Sequence, residues 1–286
     1  MGDHRTGTSS YRDPSLPRHV QAIWDGSPLA GRRVLIRCYH GLGDTLQFIR
    51  YAPLVKAVAS EVIVWAQPGL LPLLRTAHGI DRLLPLHGGV PEVEYDVDVE
   101  VMELPFLFRT TPRTIPSGIP YLRGDAPKPA SARRAGLRIG IVWQVTRNDW
   151  MQERSIPFEL IRPMTDLPNV ELHVVQRGPA LGDLPPSWGV HSGSDDVLRA
   201  AESIRTLDLL VTVDSMPAHL AGALGVPVWT LLPHVPDWRW MDARSDSPWY
   251  PTMRLFRQTV PVTGSRFCGR CSSCWRGGLR AARLLE

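Results

Sequence analysis

The stretch Val34-Leu35-Ile36-Arg37-Cys38-Tyr39-His40-Gly41-Leu42-Gly43-Asp44-Thr45 decides the fold. Its first five residues form a short, mostly apolar β-type run with two β-branched members. Glycines at 41 and 43 end that run, and a helical pattern follows over residues 45–58. Strand, tight turn and helix in that order open an α/β unit. Moving outward, residues 62–65 predict a second buried strand, 70–77 a helix and 82–86 a third strand. Residues 95–101 alternate acidic with apolar side chains and predict a fourth.

A second strand–helix series restarts after residue 136. Strands are expected over 138–143, 170–176, 207–213 and 228–232, and helices over 158–165, 195–203 and 217–224. Between the two series runs GDAPKPASARRAG, which has two prolines, a basic cluster and no apolar periodicity. That composition suits an interdomain linker. The expected organisation is an extended lead-in (1–30), an acceptor-side Rossmann-like domain (31–123), the linker (124–136), a Rossmann-like donor domain (137–258) and a Cys- and Arg-rich tail (259–286). The fold class is α/β, with two Rossmann-like domains expected to face a cleft.

With 286 residues, 43% of them apolar and 21% charged, the chain has the composition of a folded protein and room for two domains. The net charge of +4 is mild, and much of the excess lies near the ends. No Lys/Arg stripe interleaves with aromatics, so nucleic acid is not the expected partner. No apolar run reaches the roughly 18 residues needed for a transmembrane segment. The polar start also lacks the apolar core of a secretory signal, so a cytoplasmic location is expected.

Gly41, Gly43 and Thr45 shape a turn at the end of a parallel strand, where helix amides favour an anionic group. Asp44 in that turn has two readings on spacing alone. It is either a general base accepting the proton of an attacking hydroxyl, or a cap on the helix that begins near Thr45.

In the second series, the strand LDLLVTV runs into Asp214-Ser215-Met216-Pro217-Ala218-His219. Proline at the start and glycine at the end frame one short helix. Asp214, Ser215 and His219 then cluster at the carboxyl end of a central strand, where α/β sheets bind ligands. Either they serve a diphosphate, or Asp214 or Ser215 caps the helix and His219 packs in the core. Arg154 and Ser155 follow the first strand of this series, and an arginine there can fork onto phosphate oxygens or pair with a surface glutamate. Gln176, at the next strand's end, can meet a base or ribose or simply close a strand. Trp238 and Trp240 lie in an aromatic, proline-punctuated loop suited to stacking on sugars or bases, or to packing.

Taken together these motifs resemble glycosyltransferase family 9, the ADP-heptose:lipopolysaccharide heptosyltransferase superfamily, and most closely the modules found behind tetratricopeptide repeats in bacterial proteins. The carriers are GLGDTLQFIRYAPLV at 41–55, VWQ…ERSIP at 142–157, LDLLVTVDSMPAHLAGALGVPVW at 207–229 and DWRWMDARSDSPWYPTMRLFRQ at 237–258. The resemblance implies a GT-B fold, an inverting transfer that needs no cofactor and no Asp-x-Asp metal site, and a nucleotide-diphosphate sugar donor. It implies a glycan or protein acceptor, with Asp44 as general base. Arg154, Ser155, Gln176, Asp214, Ser215 and His219 would then surround the donor. A catalytically idle nucleotide-sugar-binding or scaffolding module is the alternative, and a nucleotide-sugar epimerase lacks support around Asp44.

Three departures stand out. Tyr39-His40 occupies the place where relatives often carry an acidic residue and glutamine. The phosphate lysine of some heptosyltransferases has no clear match, leaving Arg147 or Arg154 to substitute. The tail from 259 is Gly-, Arg- and Cys-rich instead of ending in a Trp-bearing helix. Cys268, Cys271 and Cys274 at C-x2-C-x2-C spacing can hold zinc or iron only with a fourth ligand. The related autotransporter heptosyltransferases carry cysteine-bound iron. No second pair is present here, so metal binding is not expected.

Overall fold

The computed structural model describes residues 27–124, 136–145, 154–182, 184–185 and 187–258. The chain forms two compact units, Met1–Asp125 and Ala126–Glu286. Cys268, Cys271 and Cys274, with the rest of the tail, lie outside the described residues.

The first unit carries β1 (Arg33–Cys38), β2 (Glu61–Ala66), β3 (Arg82–Pro85) and β4 (Val97–Glu100), all parallel, in the order β3-β2-β1-β4. Leu35, Ile63 and Trp65 are buried on one face of this sheet, with Leu84, Leu86, Val93 and Tyr95 packed against them. Near-continuous burial along β1 and β2 is what a parallel sheet covered on both faces requires.

The helical pattern over 45–58 resolves into three pieces. Helix α1 (Leu42–Phe48) starts three residues earlier than expected, with Gly41 at its N-cap. A 3-10 turn (Ile49–Tyr51) and α2 (Ala52–Lys56) follow. Pro53 explains the break, since it has no N–H to continue the ladder from α1. Short helices α3 (Leu71–Leu74) and α4 (Leu104–Leu107) complete the unit.

The second unit has β5 (Leu137–Val142), β6 (Val170–Val174), β7 (Val190–His191), β8 (Leu209–Val213), β9 (Val228–Leu232) and β10 (Met253–Arg257). The sheet is parallel throughout, in the order β10-β9-β8-β5-β6-β7. Read from β7, this is the 3-2-1-4-5-6 order of a dinucleotide-type sheet, and the direction of winding reverses between β5 and β8. The sequence pattern missed β7 and β10. β7 has two residues, and β10 mixes two arginines with three apolar residues without a clear run.

Helices α5 (Phe158–Ile161), α6 (Val197–Arg205) and α7 (Met216–Ala223) link these strands. Asp196 caps α6, its Oδ1 accepting from the amides of Leu198 and Arg199. Helix α7 is buried from Ala218 onward, and its small residues let aromatic rings approach its backbone. No helix among the described residues is long and apolar enough to cross a membrane.

Gly222 shows how tight that approach is. A Cβ placed there would lie 2.4 Å from the Tyr250 ring. Tyr250 is fully buried and hydrogen-bonded to His219, so the ring has nowhere to go. Gly222→Ala is therefore expected to destabilise the unit by about 1–3 kcal/mol through overpacking, despite alanine's better helix propensity. Urea unfolding checks this, and a midpoint at or above wild type would show that Tyr250 yields without cost.

Candidate functional site

In the second unit the reversal of winding leaves the carboxyl ends of β5 and β8 side by side, the place where open α/β sheets bind ligands. The chain leaves β5 through Trp143, Gln144 and Val145. At its return, Ile156 N donates to Trp143 O at 2.8 Å and Ser155 Oγ accepts from Val145 N at 3.2 Å. These two bonds bring Arg154 to the end of β8. Its Nη1 lies 3.1 Å from Asp214 Oδ2, and its Nη2 lies 3.9 Å from Asp237 Oδ2. Asp237 also holds Arg239, accepting from its backbone N at 3.1 Å and its Nε at 2.9 Å.

Asp214 is buried, and burial pushes its pKa up while the Arg154 guanidinium pulls it down. A side-chain hydrogen bond from the buried Trp240 acts on Asp214 in the same direction as the guanidinium. Ser215 occupies the N-cap of α7, yet its hydroxyl donates back to Val213 O at 3.2 Å instead of accepting from the helix. Arg154 and Ser215 are half-buried, so polar groups from three segments reach one edge of the sheet.

Three expected ligand groups are placed differently. Gln176 is buried, and its amide is fully used. Oε1 accepts from Trp143 N at 3.0 Å and Gln144 N at 2.9 Å, and Nε2 donates to Gln144 O at 3.2 Å and Arg177 O at 2.9 Å. A primary amide has two donors and a carbonyl with two lone pairs, so Gln176 splices the ends of β5 and β6 and does not offer itself to a base or ribose. His219 is a core histidine. It is 2% exposed, its Nδ1 lies 3.0 Å from Tyr250 Oη, and its ring stacks on Trp240 at 5.4 Å. Trp240 is fully buried in the same stack, so it does not offer a ligand-stacking face. Trp238 is 58% exposed, with the Arg239 guanidinium over its ring.

The surrounding loop is held from β10. Arg257 donates to the carbonyls of Trp240, Met241 and Arg244. Burial lowers its pKa. Met241 and Ala243 adopt φ of 55° and 49°, a region that favours glycine, so three carbonyl bonds to one cation fasten a strained segment.

In the first unit the winding reverses between β1 and β4. Asp44 is the third residue of α1, and its Oδ2 reaches back to accept from Gly41 N at 2.9 Å. The carboxylate thus braces the turn and remains half-buried at its rim. The fit at Gly41 is tight, since a Cβ there would lie 3.0 Å from that carboxylate oxygen. Gly43 lies between them in the first turn. Thr45 faces inward, fully buried, its hydroxyl bound to Gln67 Oε1 at 2.9 Å, while Gln67 Nε2 holds His40 O at 2.8 Å.

Sequence reading missed the partners across β4. Glu100 Oε1 lies 3.0 Å from His40 Nε2, and Arg37 pairs with Asp98 in the buried layer below. Acidic residues at alternate positions of β4 were the available signal.

No protein-family model matches the chain. Among curated proteins it is similar to protein FlbA of Caulobacter vibrioides, with 24% identity over 272 residues, covering 82% of this chain and 44% of FlbA. The chain thus spans less than half the length of that relative. Among solved structures it is similar to a family 9 glycosyl transferase from Veillonella parvula, with TM-score 0.65 and 12% identity over 90% of this chain and 97% of the other. The ADP-heptose lps heptosyltransferase II of E. coli gives TM-score 0.58 and 14% identity over 88% and 99%. The fold is therefore the GT-B type that these glycosyltransferases share.

The Arg154–Asp214 pair generates a stability prediction. Arg154→Ala leaves Asp214 a buried carboxylate without its cation, which is expected to cost about 3–5 kcal/mol at neutral pH. Asp214 has a raised folded pKa, so its ionised form opposes folding. The deficit should therefore be smallest below about pH 4, the unfolded carboxyl value, and grow as pH rises. Urea unfolding of both proteins at several pH values checks this, and a deficit independent of pH would show that the loss of a cation beside Asp214 is not its cause.

Proposed function

We propose that the chain is an inverting glycosyltransferase that moves a sugar, heptose or a related one, from a nucleotide diphosphate to a hydroxyl of a glycan or protein. The observation that carries this reading is the gathering of Arg154, Asp214 and Ser215 where the winding of the second sheet reverses, on a fold shared with heptosyltransferases. The similar E. coli protein is an ADP-heptose heptosyltransferase, which supports a nucleotide-sugar donor for this chain.

On this reading Arg154 supplies positive charge to the diphosphate. Its guanidinium has five N–H donors, and the bond to Asp214 leaves others for phosphate oxygens. Asp214 and Asp237 fix its orientation, Ser155 shapes the return loop behind it, and Ser215 offers its hydroxyl at the start of α7. His219 acts at one remove, holding Tyr250 and Trp240 in place beneath the loop. The exposed face of Trp238 stacks on the base or sugar. In the first unit the Asp44 carboxylate takes the proton of the acceptor hydroxyl as the new glycosidic bond forms, without a metal ion. The bond from the anomeric carbon to the diphosphate breaks, and its electron pair leaves with the nucleotide.

A binding module without turnover is the second reading. It is favoured by the burial of His219 and the saturation of Gln176, which remove two polar groups from the donor side. A thermal-shift screen of nucleoside diphosphates and their sugars identifies the donor, since a ligand of the folded state raises the melting temperature. Release of nucleoside diphosphate in the presence of glycan acceptors then separates the two readings: binding without release supports the module. Asp44→Asn is expected to cut release by about 100- to 10,000-fold while leaving donor affinity nearly unchanged. Near-normal turnover in the folded variant would leave Asp44 as a brace of the turn and nothing more.

A further inference from the structure

His40 and Glu100 form a second acid–base constellation on the turn that carries Asp44. β1 and β4 are hydrogen-bonded neighbours, so the residues leaving their carboxyl ends meet. His40 Nε2 lies 3.0 Å from Glu100 Oε1, with the histidine side chain 32% exposed and the glutamate 11%. The dyad is fixed from both sides. Glu103 Oε2 accepts from Glu100 N at 2.9 Å, and Gln67 holds the His40 carbonyl at 2.8 Å. The peptide N–H that follows His40, that of Gly41, is the one bound to the Asp44 carboxylate at 2.9 Å. His40 and Asp44 are thus joined through a single peptide unit.

We propose that His40 is a further proton-accepting residue of the transfer reaction, on whose imidazole the proton of the acceptor hydroxyl comes to rest, and that Glu100 is its positioning residue. This rests on the transferase reading above. The tautomer that donates Nε2–H to Glu100 makes Nδ1 the basic nitrogen. The acceptor oxygen bonds to the anomeric carbon, the carbon–diphosphate bond breaks, and its electron pair leaves with the nucleotide. Asp44 and His40 both reach solvent at the rim of the turn, and the hydroxyl proton taken by the carboxylate passes through water there to the imidazole, which becomes an imidazolium paired with Glu100. An imidazole is the better final holder, because it is intrinsically more basic than a carboxylate.

The surrounding charge favours that imidazolium. Glu100 and Asp98 lie on β4, Glu103 on the turn after it, and Asp44 on α1, while Arg37 on β1 is paired with Asp98 and lies over the Tyr39 ring. Tyr39, stacked beside His40 at 4.7 Å, records the same field. Its phenol is pushed up to about 12 by burial and then by the Glu100 charge.

The test is the pH dependence of kcat/KM for wild type, His40→Gln and Glu100→Gln, with the donor found by thermal shift. Wild type should lose activity as pH falls through the imidazole range, because a protonated ring accepts nothing. Glu100→Gln should move that break down by about one pH unit, since an opposite charge no longer supports the imidazolium. His40→Gln should lose the break and fall about 100-fold at neutral pH with donor KM unchanged. NMR titration of the His40 ring, in wild type and in Glu100→Gln, reads the same shift without relying on the His40 variant folding. A break that survives in His40→Gln, or a ring whose titration ignores Glu100, overturns the assignment of His40 alone. A wild type that turns over no nucleotide sugar overturns the transferase reading, and the proton assignment falls with it.

Discussion

The second unit is organised around one buried charge. Asp214 stands at the end of the central strand β8, 2% exposed, where an ionised carboxylate is costly without a cation. Arg154 supplies that cation from 60 residues earlier in the chain, and much of the local architecture serves to deliver it. Ser155 and Ile156 fasten the return loop to the end of β5, Gln176 splices β5 to β6, and Asp237 steadies the other side of the guanidinium. The loop bearing Asp237 is in turn held by Arg257 on the edge strand β10. An arginine kept at the sheet's edge by two carboxylates is oriented in advance, so a phosphate would meet it without the entropy loss of ordering a long side chain.

The first unit solves the same problem with different residues. Four acidic side chains, Asp44, Asp98, Glu100 and Glu103, crowd the ends of β1 and β4. Each is answered locally: Asp44 by the Gly41 amide, Asp98 by Arg37, Glu100 by His40 and Glu103 by the Glu100 amide. Parallel strands end with their backbone groups pointing the same way, so polar side chains collect at that edge to satisfy them. Chemistry and structural necessity draw on the same residues there, which is why spacing alone left Asp44 both a base and a cap. The structure shows it bracing the turn while staying half-buried, and the two roles are compatible.

How much of this was legible in the sequence follows from the range of the forces involved. Strands β1, β2, β5, β8 and β9 announced themselves because burial on both faces demands an apolar run, and a run is local. Helix α7 was legible from its proline and glycine frame for the same reason. Partners were not legible. Nothing near Glu100 in the chain says that it will meet His40, because that contact exists only once β4 has paired with β1 across 60 residues. Boundaries failed where a single residue overrode a pattern, as Pro53 did in dividing the helix expected over 45–58.

The misplaced site residues share one cause. His219, Gln176 and Trp240 were singled out for the chemistry of their side chains, and in each case the fold had already used that chemistry. Gln176 was in the right place but has all four hydrogen-bonding sites taken by backbone groups. His219 lies on the inward face of α7, where the small residue Gly222 admits Tyr250 to within reach of its Nδ1. Trp240 then closes over the imidazole as a stacked lid. A helix buried on nearly every residue leaves a polar side chain two choices: a partner in the core or a large desolvation cost. For His219 that partner is Tyr250, so its influence on any ligand passes through the shape of the aromatic layer it supports. In the same neighbourhood Arg154 and Ser215 stay half-buried and Trp238 exposed, so their polar and aromatic groups are not consumed by the core in this way.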